Sequence, residues 1–196
     1  ASKIGYPLFL RTDQASGKHD WKDSCYVPNE EALRDHILKV IEFNEIADIF
    51  GLQYEALVFR EFIELDWKFK AFWGEMPVAR ERRYFIKDSG ILCHHPYWIE
   101  DAIARASPWI QESNWRELLK DLNTETNGEV KLLTEYSTEV ASLLEGYWSI
   151  DFAHAKDGRW ILIDIATGEN SWHPECGMVK KAPSSMEKVA EVEYAE

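Results

Sequence analysis

Two aspartates late in the chain, Asp151 and Asp164, flank the turn sequence Lys156-Asp157-Gly158-Arg159. Asp-Gly between two apolar runs is a strong signal for a two-residue hairpin loop. With Asp157 and Gly158 as that loop, Lys156 faces Arg159, and stepping back along both strands places Asp151 opposite Asp164. Their β-carbons would then lie about 4.5–5.5 Å apart on one sheet face. Like charges so placed are tolerated when a cation lies between them or when one is protonated. Asp164 stands in the run Trp160-Ile161-Leu162-Ile163-Asp164-Ile165-Ala166, whose other members are almost all apolar. It is therefore either functional or a structural acid satisfied by an arginine or by backbone donors.

Cations form the second constellation. Strand alternation puts Arg80 and Arg82 on one face of a predicted strand and Lys68 and Lys70 on one face of the strand before it. Such faces are either solvated or, in an acidic chain, a clamp for a polyphosphate. Arg11 ends an apolar strand and is followed by Ser16-Gly17-Lys18, a segment able to cover phosphates with backbone donors and charge, although it lacks the P-loop pattern. Cysteine and histidine form two clusters, Cys93-His94-His95 and His173-Pro174-Glu175-Cys176. Cys93, His94, His173 and Cys176 would make a four-ligand zinc set, but the spacing matches no familiar zinc module. The competing reading is structural or lid histidines.

The elements that must position these residues follow from periodicity and turn chemistry. Strand-like runs cover residues 7–11, 56–63, 67–73, 78–86 and 91–95, the last four reading as an antiparallel meander. A polar, turn-rich loop spans 12–24, expected to be mobile. An amphipathic helix runs from 30 to about 50, capped by Asn29 and ended by Gly51. A helical region from 98 to about 122 is interrupted near Ser107-Pro108, and a loop at Asn127-Gly128 precedes a helix with Leu133, Tyr136, Val140 and Leu144 on one face. The hairpin strands 147–155 and 159–166 follow, and Ser184 with Glu187 makes a capping box for a short terminal helix. Strands and helices without regular alternation predict an α+β fold with antiparallel sheets.

Composition bounds the rest. The 196 residues are 45% apolar and 29% charged, enough for a folded core. A net charge of −13 argues against general nucleic-acid binding, so any phosphate site must be local. No run approaches the roughly 18 apolar residues of a membrane span, and no signal peptide opens the chain, so a cytoplasmic location is expected. Three scattered cysteines, Cys25, Cys93 and Cys176, predict reduced thiols.

In this order the pieces resemble the ATP-grasp superfamily over residues 4–176. Lys3-Ile4-Gly5-Tyr6-Pro7-Leu8-Phe9-Leu10-Arg11 is similar to that family's helix-to-strand passage, with Arg11 where a phosphate-binding Lys is usual. Leu57-Val58-Phe59-Arg60-Glu61-Phe62-Ile63 resembles its hinge strand, and Leu162-Ile163-Asp164-Ile165-Ala166-Thr167-Gly168-Glu169 its magnesium-binding strand. The arginine at the hinge, Arg60, and the strand Phe69-Lys70-Ala71-Phe72 are similar to a phage and bacterial clade and to the eukaryotic cell-division-cycle ATP-grasp assembly chaperone. Ala166 departs from the pattern, since an Asn usually stands two residues after the metal-binding acid. The lobe that usually precedes the fold is also missing from the sequence.

The resemblance implies a lid lobe over residues 1–60, a metal-bearing lobe over 61–180 and a helical tail over 181–196. It implies ATP and Mg2+ as cofactors, with Asp151, Asp164 and Glu169 as metal ligands. Arg11, Lys18 and Lys70 would contact phosphates, Arg60, Glu61, Phe62 and Ile63 adenine, and Asp66 ribose. Arg80 or Arg82 would stabilise the transferring phosphoryl group. The implied activity is ligation of a small carboxylate to an amine or thiol through an acyl phosphate; the alternative is an ATP-dependent clamp on a protein partner.

Overall fold

A computed structural model describes Ala1 and residues 3–48 and 53–174. The expected helix-ending Gly51, Cys176, and the capping box of Ser184 and Glu187 with its tail lie outside the described residues. The fold is α+β, with nine strands in three antiparallel sheets and four α-helices among the described residues. The strands are β1 (Leu8–Thr12), β2 (Tyr26–Val27), β3 (Leu57–Glu61), β4 (Trp67–Ala71), β5 (Met76–Ala79), β6 (Glu81–Lys87), β7 (Gly90–Pro96), β8 (Tyr147–His154) and β9 (Trp160–Thr167). The helices are α1 (Leu33–Asp48), α2 (Glu100–Arg105), α3 (Trp115–Asn123) and α4 (Asn127–Ala141).

The chain divides into two compact units. The first is discontinuous, comprising residues 1–64, 69–78 and 104–113, and the second holds 65–68, 79–103 and 114 onward. In the first unit the sheet order is β2-β1-β3, which leaves β3 at an edge. Leu8, Leu10, Val27 and Val40 are fully buried there, and Leu33 and Ile37 of α1 pack on them as the helical spacing requires. Asn29 accepts a hydrogen bond from the Ala32 amide at 3.0 Å, as expected of a cap, although regular helix starts at Leu33.

The polar stretch 12–24 is not an unsupported loop. Thr12 Oγ1 accepts the Gln14 and Ala15 amides and donates to Asn44 Oδ1 at 2.7 Å. Ser24 Oγ donates toward the carbonyls of Gly17 and Asp20. The Gly74 amide donates to the His19 carbonyl and the Lys22 amide to the Gly74 carbonyl. A Cβ at position 74 would fall on the Asp20–Trp21 backbone, so this close approach requires glycine.

The second unit is built on a four-stranded sheet, order β7-β6-β8-β9. The expected meander is thus corrected. β3 pairs with β1 and β4 with β5, the strand read over 78–86 breaks at Arg80 into β5 and β6, and β8 inserts beside β6. One face carries Tyr84, Ile86, Ile150 and Phe152 against Leu133 and Ala141 of α4, all buried. Helix α4 starts earlier than the Asn127-Gly128 pair suggests. Thr126 accepts the Glu129 amide at 3.1 Å as N-cap, and that cap outweighs the cost of Gly128 in the first turn.

Candidate functional site

The hairpin carries the first sequence expectation by a different route. The loop holds three residues, with the Ala155 amide bonded to the Arg159 carbonyl and Gly158 at φ 88°, so His154 rather than Ala155 pairs with Trp160. That shifts the near-turn register by one. A bulge between Asp151 and Phe152 on β8, where β9 carries Ile163 as the extra residue, shifts it back. Asp151 and Asp164 are therefore cross-strand partners, as expected.

The pair belongs to a longer row. His95 on β7 opposes Arg83 on β6, Arg83 opposes Asp151 on β8, and Asp151 opposes Asp164 on β9. One face of the sheet thus carries an imidazole, a guanidinium and two carboxylates side by side. Arg83 grips Asp151 bidentately, Nε to Oδ1 and Nη2 to Oδ2, both at 2.7 Å, and Nη1 donates to the Trp172 carbonyl at 3.1 Å. The guanidinium also lies 4.7 Å from the centre of the Tyr97 ring. Burial would lower the Arg83 pKa, but Asp151 above all, and Asp164 further off, hold it above its ordinary value. Arg83 thus supplies a cation that compensates Asp151. Asp164 is half-buried, with Oδ1 accepting the Ile165 amide at 3.1 Å. Glu169 is exposed in the 3-10 turn that follows β9, and Ala166 pairs with Ser149 one row along.

Arg80 and Arg82 do share a side, but it is not an open cationic face. Arg82 is fully buried, with Nε 2.6 Å from Glu129 and 3.4 Å from Glu125. The 2.6 Å contact is an ion pair without hydrogen-bond alignment. Burial holds the Arg82 pKa below its ordinary value despite both glutamates. Arg80 and Arg82 each donate to the Thr124 carbonyl, and Arg80 also donates to that of Asp121. Both side chains are thus engaged at the α3–α4 connection. The sequence reading missed Arg83. Its signal was available only through the pairing of β6 with β8, 68 residues away in sequence.

The cations assigned to phosphates all fall in the first unit. Arg11 is buried, with Nε donating to the Thr12 carbonyl at 2.8 Å; Lys18 begins a 3-10 turn after Gly17; and Lys70 contacts Glu75 at 3.3 Å. Arg60 and Glu61 close edge strand β3, and Phe62 packs edge-on against Tyr26, ring centres 5.0 Å apart. Asp66 lies in the second unit's first segment, its amide bonded to the His154 carbonyl and its carboxylate 3.4 Å from Lys68.

His94 does not join Cys93 and His173 as the alternative zinc set required. Alternation along β7 sends His94 to the helix side, where it stacks on Tyr84 and contacts Glu125 at 3.1 Å. Cys93 and His95 share the other side with His173, and Cys93 Sγ lies 3.0 Å from His173 Nε2. The Glu125 contact raises the His94 pKa, and His94 in turn lowers that of Glu125. Burial lowers the pKa of both His95 and His173. Cys25 is buried and pushed up to about 12, an inert thiol.

Among solved structures, the chain is similar to the biotin carboxylase domain of 2-oxoglutarate carboxylase from Hydrogenobacter thermophilus, solved with MgADP, ADP and bicarbonate. That match has 16% identity, covers 85% of this chain and 32% of that one, and has a TM-score of 0.42. It is also similar to N5-carboxyaminoimidazole ribonucleotide synthetase from Thermotoga maritima, at 15% identity, 85% and 33% coverage and a TM-score of 0.38. The chain thus spans about a third of the length of these structures. A comparison with curated proteins finds no match. The family model for the ATP-grasp domain, family 3 of the R-two-K clade, matches residues 3–186, and the chain belongs to that family.

Proposed function

We propose that this ATP-grasp chain binds magnesium-ATP and serves an ATP-dependent ligase that joins a small carboxylate to an amine or thiol through an acyl phosphate. The observation that carries the reading is the cross-strand row ending in Arg83, Asp151 and Asp164. The donor set suits a hard divalent cation, since half-buried Asp164 and exposed Glu169 both offer carboxylate oxygens. Both oxygens of Asp151 already accept guanidinium hydrogens, so only their remaining lone pairs are left for a metal. Asp164 and Glu169 would therefore hold the metal, with Asp151 beside them. When bound, magnesium supplies charge neutralisation across the phosphates.

The chain's own residues do the rest. Asp151 and the Trp172 carbonyl fix the Arg83 fork, so that its remaining N–H donors meet developing negative charge without reorganising. Arg83 takes the role that the sequence reading gave to Arg80 and Arg82. Arg11, Lys18 and Lys70 contribute positive charge toward the phosphates, the edge-strand backbone from Arg60 to Ile63 takes adenine, and Asp66 takes ribose. Arg60 and the strand around Lys70 also support kinship with the arginine-hinge relatives of phages and bacteria.

One observation favours a second reading, a nucleotide-dependent clamp on a protein partner. Ala166 offers no ligand atom where the family pattern has Asn, which weakens the metal site a ligase needs. A pooled screen separates the two: amino acids and small acids with magnesium-ATP, reading ADP and phosphate. Acceptor-dependent release of both products supports the ligase. Tight nucleotide binding without turnover supports the clamp, and absence of nucleotide binding contradicts both.

A further inference from the structure

We infer that Cys93, His95 and His173 form a binding site for a zinc ion, separate from the carboxylates at the other end of the row. Cys93 and His95 are two residues apart on β7 and so share a face, while His173 arrives from the segment after β9. One donor atom from each lies within 4.8 Å of the others, and Cys93 Sγ and His173 Nε2 are 3.0 Å apart. Ligands of a tetrahedral zinc, held by Zn–S of about 2.3 Å and Zn–N of about 2.0–2.1 Å, are about 3.3–3.6 Å apart, so small side-chain shifts complete the geometry.

A second observation points the same way. His95 Nε2 is buried and has no hydrogen-bond partner among the described residues, an arrangement that a metal bond resolves. The His95 and His173 rings meet edge to face at 5.0 Å and Phe85 packs on both, which makes the site apolar around a thiol and two imidazoles, a soft donor set that suits zinc over magnesium. Three protein ligands leave a fourth position for water or another donor. Binding deprotonates the thiol and releases its proton to solvent. The bound ion fastens the segment after β9, including the Trp172 carbonyl that holds Arg83, to the β7 edge.

The test uses the full chain, stripped of metal and titrated with zinc against a chromophoric chelator, then with cobalt(II) as a spectroscopic stand-in. The expected result is one equivalent of zinc, and a cobalt complex showing thiolate charge-transfer absorption with intense tetrahedral visible bands. Cys93→Ser and, separately, His173→Ala should each weaken zinc binding by more than the ~10–100-fold typical of changes outside the ligand shell. His94→Gln, on the opposite face, should leave stoichiometry and affinity unchanged. A wild-type cobalt spectrum without the thiolate band, or zinc affinity that survives Cys93→Ser, overturns the proposal without any dependence on variant folding. Nucleotide binding enters neither readout.

Discussion

Arg82 and Arg83 are neighbours in sequence and face opposite sides of one sheet, and each meets a buried carboxylate. On the helix side Arg82 meets Glu129 and Glu125, and His94 closes the cluster through Glu125. On the other side Arg83 meets Asp151, with Asp164 and His95 flanking them in the row. The carboxylates of the two pairs are nearly equally buried, Glu129 at 7% and Asp151 at 5% side-chain exposure. What differs is the neighbour. The helix-side cluster is completed by α3, α4 and their connection, whereas the other ends in a half-buried carboxylate that has a second acid following in the next turn. Burial of a salt bridge therefore says little about its purpose, and the accessible charge beside it says more.

The comparison breaks most sharply at Arg82. Arg82→Met leaves buried Glu129 with only the longer 3.6 Å contact to Arg80 as its ion pair and should cost about 3 kcal/mol in urea denaturation. Adding Glu129→Leu should restore much of that loss, since an apolar pair of similar volume replaces the ions. On the other face, Arg83→Lys keeps the charge but loses the bidentate fork, so a smaller loss of about 1.5–3 kcal/mol is expected, together with loss of any acceptor-dependent ADP release. If Arg82→Met abolishes turnover in fully folded protein and Arg83→Lys does not, the two faces have been assigned the wrong way round.

A smaller effect sharpens the helix side. The His94 pKa is raised above its ordinary 6.5 and the Glu125 pKa lowered below its ordinary 4.5, each chiefly by their mutual hydrogen bond. Their contribution is complete between those ordinary values. It is lost as pH rises through the raised His94 value or falls through the lowered Glu125 value. The pair is partly exposed, so the stability gap between wild type and His94→Gln should stay under ~1 kcal/mol and be wider near pH ~6 than near pH ~9. A gap independent of pH would mean that His94 acts only by stacking on Tyr84.

Local signals were legible in the sequence, and long-range ones were not. The Asp151–Asp164 pairing followed from Asp-Gly turn chemistry, although a three-residue loop and a bulge cancel where a two-residue loop had been read. Alternation correctly grouped Arg80 with Arg82, but it carries no label for which face a helix will cover, and α4 covers theirs. For the same reason the opposite sides taken by Arg82 and Arg83, and by His94 and His95, stayed hidden. The meander failed because β8, from far downstream in the chain, takes the place beside β6, a pairing that no local pattern encodes.

The most direct test of the carboxylate face is a set of four thermal melts: wild type and Asp164→Asn, each with and without magnesium-ATP. Neutralising Asp164 relieves its repulsion with Asp151 and removes its attraction to Arg83. The ligand-free variant should therefore melt within a few degrees of wild type, a change under about 1 kcal/mol. Wild type should gain about 2.7 kcal/mol at a hundredfold excess of ligand over its Kd, and the variant much less. A variant that melts far below wild type without ligand, yet gains as much on adding magnesium-ATP, would make Asp164 a structural acid and contradict its place at the metal.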